Sequence, residues 1–112
     1  MHYSFEIEGQ ALLATLEGEL DLHTSPEFKE EIITIFETHP QIKYLIINVQ
    51  GMSFIDSSGL GVILGRYREL QTRGGKLFFV QANPQIKRIL QLSGFQKISE
   101  FANSANEVLE RI

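Results

Sequence analysis

Apolar and polar residues alternate from Tyr3 to Glu8, a period of two that predicts a half-buried strand. Gly9-Gln10 makes a short turn, and the more apolar Ala11 to Leu16 returns as the second strand of a hairpin. Gly18 to His23 reads as a connector. Thr24-Ser25-Pro26-Glu27 is a helix start, with Thr24 and Glu27 as a capping box or with Ser25 as cap and Pro26 at the first helical position. Phe28, Ile32, Ile35 and Phe36 recur at helical spacing up to His39-Pro40, where the residue before proline is pushed out of the helical region.

Lys43 to Val49 is a nearly continuous apolar run, the pattern of a central strand covered on both faces. Gln50 to Asp56 reads as a loop whose Met52, Phe54 and Ile55 pack down. Ser57-Ser58-Gly59 opens a second helix with Leu60, Ile63, Leu64, Tyr67 and Leu70 as its apolar stripe. Arg73-Gly74-Gly75 ends it, with a basic residue and glycine where a helix C-terminus favours them. Lys76 to Val80 is a third buried-type strand. Asn83-Pro84 starts a helix with Ile86, Ile89, Leu90 and Leu92 inward, and Gly94 ends it. Phe95 to Ser99 reads as a short edge strand. Ala102 to Ile112 is the last helix, capped by Asn103, with Ala105, Val108, Leu109 and Ile112 inward. Strands alternate with helices of crossover length from residue 43 onward, which makes those strands parallel. The whole pattern is an α/β sheet with an antiparallel hairpin strand at its start.

Composition narrows the chemistry. A chain of 112 residues, 43% hydrophobic, is enough for one domain with an ordinary core, and no repeat or linker divides it. The absence of cysteine excludes a disulfide framework, a Cys-ligated zinc site, an iron–sulfur cluster and a thiol nucleophile. No run approaches the roughly 18 apolar residues of a membrane span. Met1 to Glu6 lacks the basic start and apolar run of a signal peptide, so a cytoplasmic protein without membrane contact is expected. The net charge of −4 is unevenly spread. Residues 1–56 carry ten acids against two bases, and residues 57–112 carry eight bases against four acids. Such polarity can steer a charged protein partner, although two solvated helix faces account for it equally well. Direct nucleic-acid binding is not expected, since basic residues are not clustered with stacking aromatics.

The usual catalytic patterns are missing. His2, His23 and His39 have no paired spacing for a metal. Ile55-Asp56-Ser57-Ser58-Gly59 is not a nucleophile elbow, and no histidine follows it. Gly59, Gly61 and Gly65 miss the dinucleotide spacing by one residue. No general base supports a small α/β hydrolase, so neither enzyme activity nor a cofactor is expected. Gly61 and Gly65 lie one helical turn apart, beside a Val62 that is expected to be exposed. Each costs a helix roughly 1 kcal/mol against alanine. Either they pack closely on a neighbouring element or they leave a flat docking surface for another protein. Ser57 as helix cap leaves the Ser58 hydroxyl free at the first helical position. A helix N-terminus tolerates a phosphate there, and a plain capping pair is the other reading.

Phe54-Ile55-Asp56-Ser57-Ser58-Gly59-Leu60-Gly61-Val62-Ile63-Leu64-Gly65-Arg66-Tyr67 resembles the anti-sigma-factor antagonists of Gram-positive bacteria, small members of the STAS family (sulphate transporter and anti-sigma antagonist). The resemblance extends to Gly18-Glu19-Leu20-Asp21, Gly74-Gly75, Pro84 and Leu92-Ser93-Gly94-Phe95, and so covers the whole chain. The run from Gly61 to Tyr67 looks most like the sporulation antagonist, whose partner restrains the forespore sigma factor. That version tends to have His-His-Thr where this chain has Leu22-His23-Thr24.

The resemblance implies one STAS domain over residues 1–112. Its fold is a mixed, mostly parallel sheet of four to five strands with about four helices packed mainly on one side. It also implies partner switching. The unphosphorylated protein binds an anti-sigma factor that is a serine kinase, phosphorylation of Ser58 breaks the complex, and a serine phosphatase restores it. Asp21, His23, Thr24, Asp56, Ser57, Ser58, Gly59, Gly61, Val62 and Gly65 are the expected partner-binding residues, on a chain that is a monomer when free. A STAS scaffold module in a stress-signalling assembly is the alternative.

Overall fold

The computed structural model describes residues Met1–Ile112. Strands β1 (His2–Glu8), β2 (Ala11–Leu20), β3 (Tyr44–Ile55), β4 (Lys76–Val80) and β5 (Glu100–Ala102) form a single sheet in sequential order. β1 runs antiparallel to β2, and the other three pairings are parallel. Helices α1 (Ser25–Thr38), α2 (Ser57–Thr72) and α3 (Pro84–Leu92) are the three crossovers, and α4 (Ala105–Arg111) follows β5. Crossovers are right-handed, so steps that all proceed in one direction across a sheet place all their helices on one face. The packing agrees. The main core joins Phe28, Ile32 and Phe36 of α1, Val62, Ile63 and Leu70 of α2, and Ile86 and Leu90 of α3 to one face of the strands. Val108 of α4 covers Ala11, Ile46, Phe78 and Val80 on the other.

β2 and β3 are both longer than the hydrophobic pattern indicates. Gly18 to Leu20 continues β2, and Gln50 to Ile55, expected as a loop, continues β3 alongside it. The pairing is irregular between Thr15 and Glu17 and again between Gly18 and Glu19. Bulges add residues and break the period of two. Val49, Met52 and Ile55 are therefore buried at a spacing of three, which does not read as a strand.

Smaller differences lie toward the C-terminus. Phe95 to Lys97 is a single 3₁₀ turn, with the short edge strand after it at Glu100–Ala102. The last helix is capped by Ser104, which accepts from the Glu107 amide, and not by Asn103. Leu92 and Ile112, expected inward, are 77% and 41% exposed. Asn83 caps α3 as expected, accepting from the Ile86 amide. Arg73 ends α2, but its side chain serves α1. Its Nη atoms donate to the Phe36 carbonyl, which Pro40 has no amide to serve, and to the carbonyls of His39 and Ile42 in the turn beyond α1. No helix is long and apolar enough to cross a membrane.

Candidate functional site

The N-terminus of α2 is organised by one carboxylate. Asp56 has extended backbone and is the N-cap, so Ser57 and Ser58 are the first two helical residues. This corrects the reading of Ser57 as cap. A short carboxylate caps as well as a hydroxyl does, and here β3 runs to Ile55, directly before Asp56. Asp56 Oδ1 accepts from the amides of Ser58 at 2.8 Å and Gly59 at 3.1 Å. Its other oxygen, Oδ2, accepts from the Leu22 amide at 3.1 Å, and the Asp56 amide donates to the Leu20 carbonyl. Asp56 therefore ties α2 to the turn between β2 and α1.

A second carboxylate builds that turn. Asp21 Oδ1 accepts from the amides of His23 at 2.9 Å and Thr24 at 3.0 Å, while the Asp21 carbonyl accepts from Ser25. The Thr24 hydroxyl accepts from the Asp21 amide and donates to the Glu19 carbonyl. Thr24 is the N-cap of α1, one of the two positions expected, but the capping box does not form, because the Thr24 backbone is in the α region and its hydroxyl is used within the turn. The Thr24 amide, helped by His23, holds the Asp21 carboxyl below the usual carboxylate range. A depressed pKa of this kind keeps the turn's bonds intact at neutral pH and gives them up only as pH falls through the lowered value.

These two carboxylates bring Asp21, His23, Thr24, Asp56, Ser57 and Ser58 together at the C-terminal ends of β2 and β3. Ser57 is exposed and Ser58 partly so, and neither hydroxyl is engaged by another protein group. Gly61 and Gly65 continue the outward face of α2. A Cβ at either would meet nothing within 4 Å, so close internal packing does not explain them. Two expected contact residues face the other way. Val62 is only 7% exposed and belongs to the core. Gly59 is buried, and a Cβ there would lie 2.7 Å from both Cγ and the carbonyl oxygen of Leu20. Gly59 is thus a close-approach glycine that seats the first turn of α2 on the end of β2.

Replacing Asp56 by Ala removes the cap and the tie to Leu22 together. We expect a loss of about 1–2 kcal/mol, read as a lower melting temperature, with faster amide exchange at Leu22, Ser58 and Gly59. Unchanged exchange at Leu22 would show that the loop is held by other means.

Pattern reading missed Leu22, which lies 67% exposed beside this face. An apolar residue in a polar turn was the available signal. None of the main surface grooves is lined by these residues. An open groove of about 520 Å³ lies at the opposite end of the sheet, lined by Tyr67, Gly74, Lys76 and Lys97 among others. His2, His23 and His39 sit on β1, in the β2–α1 turn and just after α1, and no three metal-ligating side chains cluster. The face carries bare backbone at two glycines with open space before them, which suits a protein surface better than a small molecule.

Comparison with known proteins places the fold in a family. A relative from Paenibacillus polymyxa, an anti-sigma F factor antagonist, is 34% identical over 113 residues, covering 98% of this chain and 96% of the relative. The solved anti-sigma factor antagonist SpoIIAA, in its unphosphorylated form, superposes with a TM-score of 0.79 at 27% identity, over 98% of this chain and 96% of that one. The phosphorylated form of SpoIIAA, a Bacillus cell-fate determinant, gives 0.77 at 29% identity, covering 98% of both chains. The STAS domain model matches residues 2–108. With that match spanning nearly every strand and helix, the chain belongs to the STAS domain family.

Proposed function

We propose that this protein acts as an anti-sigma-factor antagonist of the sporulation type, its 112 residues working as one STAS domain. Unphosphorylated, it binds an anti-sigma factor that is also an ATP-dependent serine kinase, and the sigma factor is released. The kinase transfers phosphate to Ser58, the complex separates, and a serine phosphatase restores the binding form. The protein supplies a surface and a phosphate acceptor, and no catalysis of its own. It acts in the cytoplasm, where sigma factors work.

The observation that carries this reading is the Ser58 hydroxyl. It is unpaired, at the second position of a helix whose cap is made by a different residue, on a face with open space at Gly61. A phosphate of charge about −1.5 to −2 there meets the positive end of the α2 dipole, so the fold can accept it. The same charge lies beside any partner docked over Gly61. The relatives' names support the partner class, and SpoIIAA is known with and without phosphate on this fold.

Gly61 gives a test that separates surface from fold. Because a side chain at Gly61 projects into open space, Gly61→Arg leaves the far-ultraviolet circular dichroism native. Calorimetry with the anti-sigma kinase then shows at least about a 100-fold loss of affinity, the scale of about 2.7 kcal/mol expected from a bulky charge placed in a close-packed interface. A native variant that binds as tightly as the parent would remove this face from the interface.

A further inference from the structure

β1 presents a full-length strand edge with nothing paired to it, since the sheet order places only β2 beside it. The direction of its backbone groups follows from the hairpin. Gly9, at φ 61°, and Gln10 form a two-residue turn, so Glu8 and Ala11 on either side exchange both hydrogen bonds. The Gln10 carbonyl accepts from the Tyr44 amide on the β3 side, which fixes the same phase from the other strand. His2, Ser4, Glu6 and Glu8 thus direct their amides and carbonyls at β2, and Tyr3, Phe5 and Ile7 direct theirs outward. No turn, loop or cap bond uses residues 1–8. The strand carries two acids, Glu6 and Glu8, but no proline, no lysine and no bulge, and its register with β2 is unbroken.

We propose that this edge pairs with the same edge of a second copy of the chain, antiparallel and centred on Phe5. In that register Tyr3 lies opposite Ile7 and Phe5 opposite Phe5, so the outward groups meet and about six backbone hydrogen bonds form. On the apolar side the seam extends the cluster in which the Phe5 ring lies 5.5 Å from Tyr3 and 5.8 Å from Phe28. On the polar side His2 lies opposite Glu8 and Ser4 opposite Glu6. These are the closer, non-hydrogen-bonded pairs, and each sets a donor against a carboxylate. Moving the centre to Glu6 places that acid against its own copy, and moving it to Ser4 sets Ile7 against Met1, outside the strand. The sequence is self-complementary in one register.

The dimer is weak and salt-sensitive. One strand of seven residues is a small interface. The Tyr3 hydroxyl donates to Glu27 Oε1 at 3.1 Å, and burial with Glu31 and Glu27 beside it pushes the phenol pKa up, so these acids flank the edge. Each copy also brings the acidic first half of the chain, ten acids against two bases, to the seam, and added salt screens that general repulsion. A monomer–dimer equilibrium therefore replaces the free monomer implied by the resemblance. It does not depend on the proposed function, since the Ser58 face lies on other elements.

Sedimentation velocity of the full chain, from micromolar to millimolar concentration at low and high salt, tests the pairing. A dimer fraction that rises with concentration and with salt is expected. Ile7→Lys, at a 40% exposed position, lowers the association constant roughly tenfold or more with the circular dichroism unchanged. His2→Glu weakens association as well, and His2→Glu combined with Glu8→His restores it. A single monomeric species throughout, a dimer indifferent to Ile7→Lys, or failure of the combined exchange to restore association each overturns the proposal.

Discussion

Ser58→Asp lowers affinity for the anti-sigma kinase at least about 100-fold, or about 2.7 kcal/mol, and leaves the fold's stability within about 1 kcal/mol. The two halves of this expectation come from one position. At the second residue of α2, a negative charge is favoured by the helix dipole and opposed by the nearby Asp56 carboxylate, so the effect on folding is small. The partner sees only an added charge at the centre of its contact, and like-charge or unpaired-charge juxtaposition costs an interface several kcal/mol. Ser58→Ala is the complement. It binds like the parent, because the hydroxyl makes no bond within the protein, and it cannot be switched off. Calorimetry of both variants with the kinase, alongside thermal melts, reads the two effects separately. Tight binding by Ser58→Asp would end the charge-switch account, and a collapsed melt would make it a folding effect.

Gly59→Ala gives the largest loss of stability. The new Cβ lies 2.7 Å from the Cγ and carbonyl oxygen of Leu20, and Leu20 is fully buried at the end of β2. Leu20 cannot retreat, because its carbonyl also accepts the Asp56 amide that sets the start of α2. We expect a loss of about 3 kcal/mol, the upper range for overpacking, and a melting temperature roughly 10 °C lower. Gly61→Ala, two residues on, is the internal comparison. Its Cβ enters open space, so it keeps only the gain in helix propensity of roughly 1 kcal/mol. A melt in which both alanines behave alike would mean that the first turn of α2 is not seated on Leu20.

The fold was legible where periodicity speaks directly. The hairpin, the three crossover helices and β4 follow from period two, period 3.6 and continuous apolar runs, and the structure places them there. The second half of β3 was not legible, because two irregularities in the β2–β3 ladder turn a strand's alternation into a spacing of three. Arg73 suits the C-terminus of its own helix by position, and nothing in the sequence says that its guanidinium reaches the Phe36 carbonyl of α1. At the candidate site, the serine pair and the free hydroxyl of Ser58 are visible in the sequence, but the pattern points to Ser57 as cap, one residue after Asp56. Asp56, Ser57 and Ser58 are all good caps, and only the strand's end decides among them. The sequence pattern puts Val62 outside a stripe of Leu60, Ile63, Leu64, Tyr67 and Leu70. Ile63 and Leu70 are buried as that stripe requires, but the buried face also takes in Gly59 and Val62, where a glycine lets the helix roll closer to β2.

Whether Ser58 is the switch is decided by the intact mass of this protein after incubation with ATP and the anti-sigma serine kinase of its own cell, followed by mapping of the modified peptide. One added phosphate, located on Ser58 and absent in Ser58→Ala, is the expected outcome. An unmodified protein, with the kinase active on a control substrate, or a phosphate located on Ser57 instead, would contradict it.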